Sequence, residues 1–141
     1  MMLGKTLFTN NVTEMLILFL LNRKDCYVYE IAKTLRELSG STVDLTLNAV
    51  YTITYRMESE EKISEYTVRV GAKRTRVYYR ITEKGKESLQ QLLLLYQEMT
   101  GGIHAILALP EEAVFGEAVK EYEEENTRTE IYTANPLPAA P

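Results

Sequence analysis

The chain has 141 residues, 45% hydrophobic and 26% charged, the composition of one globular domain with an appended element rather than of a disordered or membrane-embedded chain. Its longest apolar run, Met15 to Leu21, falls far short of the roughly 20 residues that span a bilayer. That run also lies late for a signal peptide and lacks its flanks, so a cytoplasmic protein that does not engage membranes is expected.

Single copies of cysteine (Cys26) and histidine (His104) exclude an intrachain disulfide and a Cys/His metal cluster. The net charge of −4 joins two unlike segments: residues 1–110 carry 14 Lys/Arg against 12 Asp/Glu, and residues 111–141 carry two against eight. Within 62–86, eight basic residues stand against two acidic ones, a local excess that suits a polyanion.

Residues 10–22 read as a first helix, with Asn10 or Asn11 at its N-cap and an apolar surface too broad for a single neighbour. Cys26 suits the start of the next helix as a small residue, a redox thiol being the alternative. Val28, Ile31, Ala32, Leu35 and Leu38 recur at helical spacing, which predicts a second helix over about 27–39, ended by Gly40. Residues 41–45 form a polar connection. Thr46 can accept from the amides that open a third helix over roughly 47–60. There Leu47, Val50, Tyr51 and Met57 fall near one face, leaving Asn48, Thr52, Tyr55, Arg56 and Ser59 for solvent or a partner.

From Ile63 the period changes to two. Tyr66, Val68 and Val70, and later Val77, Tyr79 and Ile81, alternate with polar or partly polar neighbours around Gly71–Thr75, which predicts a β-hairpin with a basic tip. Thr82 caps a long helix over 83–109, where Leu89, Leu92, Tyr96, Met99, Ile103 and Ile106 form a heptad seam. Gly101-Gly102 is expected to kink or break it, at about 1 kcal/mol per glycine in a helix interior. Pro110 closes it. Residues 111–125 can form a short amphipathic helix, and beyond Asn126 the composition is that of a disordered tail.

Three helices followed by a basic hairpin is the order of a winged helix-turn-helix: mostly α with a small β-hairpin wing, here with a C-terminal dimerisation helix. The expected organisation is a DNA-binding domain over 1–82, a dimerisation helix over 83–109 and an acidic extension over 110–141. The third helix can enter the major groove, with Thr46, Asn48, Thr52, Tyr55 and Arg56 as groove or backbone contacts. The wing can straddle the neighbouring backbone, with Lys73, Arg74 and Arg76 on phosphates.

Three blocks of sequence resemble the PadR-like family of transcriptional regulators. Val28-Tyr29-Glu30-Ile31 is similar to the family's Gly-Tyr-Glu-Ile. Asn48-Ala49-Val50-Tyr51 with Arg56-Met57-Glu58 resembles its Gly-Ser-Leu-Tyr and Arg-Leu-Glu. Arg76-Val77-Tyr78-Tyr79-Arg80-Ile81-Thr82-Glu83-Lys84-Gly85 resembles the Arg-Lys-Tyr-Tyr-Arg-Leu-Thr-x-x-Gly that ends the wing. The departures are Val28 for glycine, Thr54 for leucine, and Glu61-Lys62 for Glu-Gly.

The resemblance implies a dimeric, repressor-type regulator of double-stranded DNA, with Tyr51 at the protein–DNA face and the last long helix packed across the partner's first. On this reading Leu89, Leu92, Tyr96, Met99, Ile103 and Ile106 form the dimer interface, intrachain core being the alternative. Tyr51, Tyr78 and Tyr79 can equally be core-packing aromatics. Two rival functions stand beside the first: a protein-interaction module that keeps the fold without DNA binding, and a sensor holding a small apolar or aromatic effector near Tyr96 and Met99. With no glycine-rich phosphate loop and no Gly-x-Ser-x-Gly, neither enzymatic activity nor a cofactor is expected.

Overall fold

The computed structural model describes residues 10–113, 120–122 and 124–125. The elements run α1 (Asn10–Leu21), β1 (Cys26–Tyr27), α2 (Val28–Leu38), α3 (Leu47–Ser59), β2 (Ile63–Arg69), β3 (Thr75–Ile81) and α4 (Glu83–Leu107), followed by a 3-10 turn at Glu111–Ala113. The chain divides into two compact units after Met99. Of the expected amphipathic helix over 111–125, residues 120–122 and 124–125 are helical and 111–113 form the 3-10 turn, while 114–119 and 123, and the whole tail beyond Asn126, lie outside the described residues.

α1 is buried around much of its circumference, as its apolar breadth demands: Met15, Ile17, Leu18, Leu20 and Leu21 all enter the core. α2 adds Val28, Ile31, Ala32 and Leu35, and α3 adds Val50, Ile53 and Met57. Each of these side chains larger than alanine contributes about 1.5–3 kcal/mol on leaving water, against the entropy of ordering it. α2 ends where Ser41 N–H donates back to the Arg36 carbonyl at 2.8 Å, with Gly40 at φ 61°. α3 opens on Thr46, whose Oγ1 accepts from Ala49 N–H at 3.1 Å, a cap worth about 1 kcal/mol. It closes on Glu61 at φ 63°, a left-handed conformation that a side chain adopts only at a cost of about 1–2 kcal/mol.

The sheet is antiparallel in the order β1-β3-β2. Its register settles which face each strand residue takes. Ile63 lies opposite Ile81 and Glu65 opposite Tyr79, while Tyr66 lies opposite Tyr78 and Val68 opposite Arg76. Ile63, Tyr79 and Ile81 therefore share the core face. Tyr66 and Val68 lie on the other, so the apolar alternations of β2 and β3 occupy opposite faces of the sheet. Tyr27 pairs with Tyr78 across β1 and β3, and on the outer face Tyr27, Tyr78 and Tyr66 form a continuous aromatic row, with ring centroids 5.5 and 5.7 Å apart. Cys26 is thus a strand residue rather than the start of a helix.

Thr82 ties wing to helix: its N–H donates to the Lys62 carbonyl, its hydroxyl donates to the Glu61 carbonyl at 2.7 Å, and Oγ1 accepts from Gly85 N–H at 3.0 Å. The first turn of α4 comes so close to this junction that a Cβ on Gly85 would collide with the Lys62 carbonyl oxygen and stand 2.8 Å from Ile81 Cγ1. Gly85→Ala should therefore lower stability by about 3 kcal/mol, since backbone cannot yield as a side chain can. Gly101→Ala, in open space, should raise it by up to about 1 kcal/mol. Thermal melts of both variants decide the point, and a Gly85→Ala melt matching that of the parent protein would refute the packing argument.

α4 corrects two expectations. It runs through Gly101-Gly102 without a break, because two glycines cost only about 2 kcal/mol against the cooperativity of a long helix. Leu89, assigned to the dimer seam, is 1% exposed and belongs to the chain's own core. Leu92 also packs partly against that core.

Candidate nucleic-acid interface

The buried face of α3 is Val50, Ile53, Thr54 and Met57, one stripe of a 3.6-residue period. Leu47 and Tyr51, expected on the apolar side, are about half exposed. They flank an outward face made of Asn48, Thr52, Tyr55 and Ser59, all exposed. Thr52 Oγ1 donates to the Asn48 carbonyl at 2.9 Å, one turn back along the helix. Thr54 is fully buried and its hydroxyl donates to the Tyr51 carbonyl at 3.1 Å, so threonine at this core position stays satisfied within its own helix.

Arg56 is placed differently from the rest of the predicted set. Its Nη2 donates to Glu14 Oε1 of α1 at 2.9 Å, and Lys62 Nζ donates to the other carboxylate oxygen at 3.0 Å. Glu14 is only 4% exposed. Glu60 extends the network, 3.4 Å from Lys62 Nζ and 3.9 Å from Arg56 Nε. Arg56 thus fastens α3 to α1, and the groove-facing candidates narrow to Asn48, Tyr51, Thr52 and Tyr55, with Thr46 at the helix start.

The hairpin tip closes where Val70 N–H donates to the Arg74 carbonyl and Arg69 Nη2 donates to the Ala72 carbonyl at 2.8 Å. Lys73 and Arg74 are exposed there. Arg76 is engaged in the wing's own packing, its guanidinium 4.1 Å above the Tyr27 ring. Arg80 lies over Tyr66 and reaches Asp25, which also accepts the Tyr66 hydroxyl at 2.7 Å. These cation–π contacts stiffen the outer face of the wing.

A cleft of about 280 Å³ opens between α2 and the start of α3, lined by Tyr29, Lys33 and Arg36 on one side and Asp44, Thr46 and Leu47 on the other. Lys33 and Arg36 were not among the contacts expected from the sequence. Their signal was present: they lie at i, i+3 on exposed positions of α2 outside its buried stripe. Burial pushes the Cys26 thiol up to about 11, so it stays protonated at neutral pH, and it donates to the Lys24 carbonyl at 3.3 Å. Burial and protonation favour the structural reading of Cys26 over the redox one. Among the described residues no three metal-ligating side chains cluster, and no helix is long and apolar enough to cross a membrane.

Residues 17–91, more than half of the chain, match the pattern of the transcriptional regulator PadR-like family. The chain belongs to the PadR-like family. Its fold is similar to that of a transcriptional regulator from Clostridium thermocellum, with 26% identity, a TM-score of 0.64, and coverage of 68% of this chain and 93% of that one. A PadR family transcription regulator from Clostridium difficile is 31% identical at a TM-score of 0.60, over 68% of this chain and 98% of the other. An uncharacterised protein of Lysinibacillus sphaericus is 31% identical over 86 residues, 61% of this chain and 79% of its own length. The PadR-like regulators share the helical body and small antiparallel sheet seen here, and the chain is a transcriptional regulator by family.

Proposed function

We propose that this PadR-like chain is a sequence-specific double-stranded DNA-binding repressor that acts as a homodimer on a pseudo-palindromic operator. The observation that carries the proposal is that one unit exposes both an α3 face of Asn48, Tyr51, Thr52 and Tyr55 and the bare cations Lys73 and Arg74 at the hairpin tip. The first set suits base edges and the second phosphates. Residues 1–82 serve as the reading domain, 83–109 as the dimerisation helix and 110–141 as an acidic extension. The exposed apolar positions of α4, Tyr96 and Met99 in the first unit and Ile103 and Ile106 in the second, support dimerisation, since such residues are otherwise covered. Two-fold pairing of the protein then calls for two-fold symmetry in the operator.

Fluorescence anisotropy with genomic duplexes at several salt concentrations tests the proposal. Each phosphate contact contributes about 0.9 to the slope of log affinity against log salt. Joint replacement of Lys73 and Arg74 by alanine should weaken binding to all duplexes and flatten that slope by about two units. An unaltered slope would take the wing off the DNA, and failure of the parent protein to bind any duplex would favour the interaction-module reading instead.

A further inference from the structure

We propose that α3 reads A·T base pairs, through Asn48 and through thymine methyl groups met by Tyr51 and Tyr55, and carries no reader for guanine or cytosine. The inference rests on α3 being the recognition helix. Guanine is distinguished in the major groove by a cationic donor pair on O6 and N7, and cytosine by a carboxylate accepting from N4. Only two charged side chains lie within α3, Arg56 and Glu58. Both are engaged within the protein.

Arg56 is committed to Glu14, a carboxylate that is almost wholly buried and whose other ligand is Lys62. Turning Arg56 out to a base would leave that carboxylate short of one of its two cations inside the protein, a loss larger than one base contact returns. Glu58 is half-buried beside Glu65 of β2, and burial together with that neighbouring carboxyl pushes its own carboxyl up. Lys62, just after α3, is held by Glu14, and the exposed basic residues belong to other elements, Lys33 and Arg36 to α2 and Lys73 and Arg74 to the hairpin tip. Placed at the flanks, they meet the backbone, which positions the protein but carries no sequence information.

What α3 does expose is uncharged, an amide, two phenol rings and hydroxyls. The Asn48 carboxamide presents a donor and an acceptor together, the pair that matches adenine N6 and N7. Tyr55 is 77% exposed and Tyr51 stands one turn before it, also exposed. Two exposed rings on a helix face are unusual without a partner, and apolar contact with the thymine methyl is the major-groove feature that rings can use. The Thr52 hydroxyl proton is held by the Asn48 carbonyl, which leaves this residue without a free donor for guanine O6.

The test is selection of bound duplexes from a random pool by the full-length protein, followed by replacement of thymine with deoxyuridine in the selected site. The positions under α3 should enrich in A·T pairs. Removal of each contacted methyl should weaken binding about fourfold, and Tyr55→Ala should make the protein indifferent to one such removal. Asn48→Ala should lower discrimination at one base pair about tenfold. Enrichment of G·C pairs under α3, or full affinity for the deoxyuridine duplex, would overturn the inference while leaving DNA binding in place. Enrichment of no duplex at all would instead overturn the recognition-helix reading on which it rests.

Discussion

Replacement of Met99 by glutamate should convert the protein from dimer to monomer at micromolar concentration without unfolding it. Met99 is 57% exposed within its own chain, so a carboxylate there remains in water and costs the isolated subunit little. Packed against a second copy, the same carboxylate loses its hydration with no cation to meet it, at a cost of several kcal/mol. Leu92 is the poorer site for this test because it already packs against the subunit's own core, and a charge there would unfold as readily as dissociate. Two reading heads joined in one dimer gain about 10²–10⁴ in affinity over a single head. Met99→Glu should accordingly lose at least about 100-fold in affinity for a two-half-site duplex and little for a half-site. Light scattering and anisotropy on the same samples give both readings. A parent protein that is monomeric at these concentrations would end the dimer proposal.

Glu14→Ala should lower the free energy of unfolding by about 3 kcal/mol, measured as a shift of the urea midpoint at constant slope. Glu14 is buried on α1 and receives Arg56 from α3 and Lys62 from the turn into β2. Its removal leaves two cations, Lys62 among them largely enclosed, with only the more exposed Glu60 beside them. The same network fixes where the C-terminal half of α3 sits against α1, so the variant should also lose discrimination between operator and random DNA while it remains folded at low temperature. A free energy of unfolding within about 0.5 kcal/mol of that of the parent protein would show that the network is solvated enough to be dispensable.

The helices and the hairpin were legible in the sequence because each repeats its pattern several times. Val28, Ile31, Ala32 and Leu35 mark α2 by their spacing and are buried together. Thr46 and Thr82 announce the starts of α3 and α4 through chemistry local to one turn, and both accept from the amide three residues on. β1 was not legible, since two residues have no period to detect. Cys26 and Tyr27 become a strand only because β3 lies alongside them.

The division of labour among equivalent residues was settled by the tertiary structure alone. On the sequence Arg56 is one more cation on a polar helix face, and its partner Glu14 lies 42 residues earlier. Arg76 resembles Arg74 until Tyr27 is brought beneath it. Leu89 and Met99 both fit one heptad seam, yet the first is core and the second exposed, because helical periodicity specifies a face and not what lies against it. Local repetition encodes elements and their apolar sides, whereas the commitment of a charge or an apolar side chain to a distant partner depends on which elements the folded chain sets together.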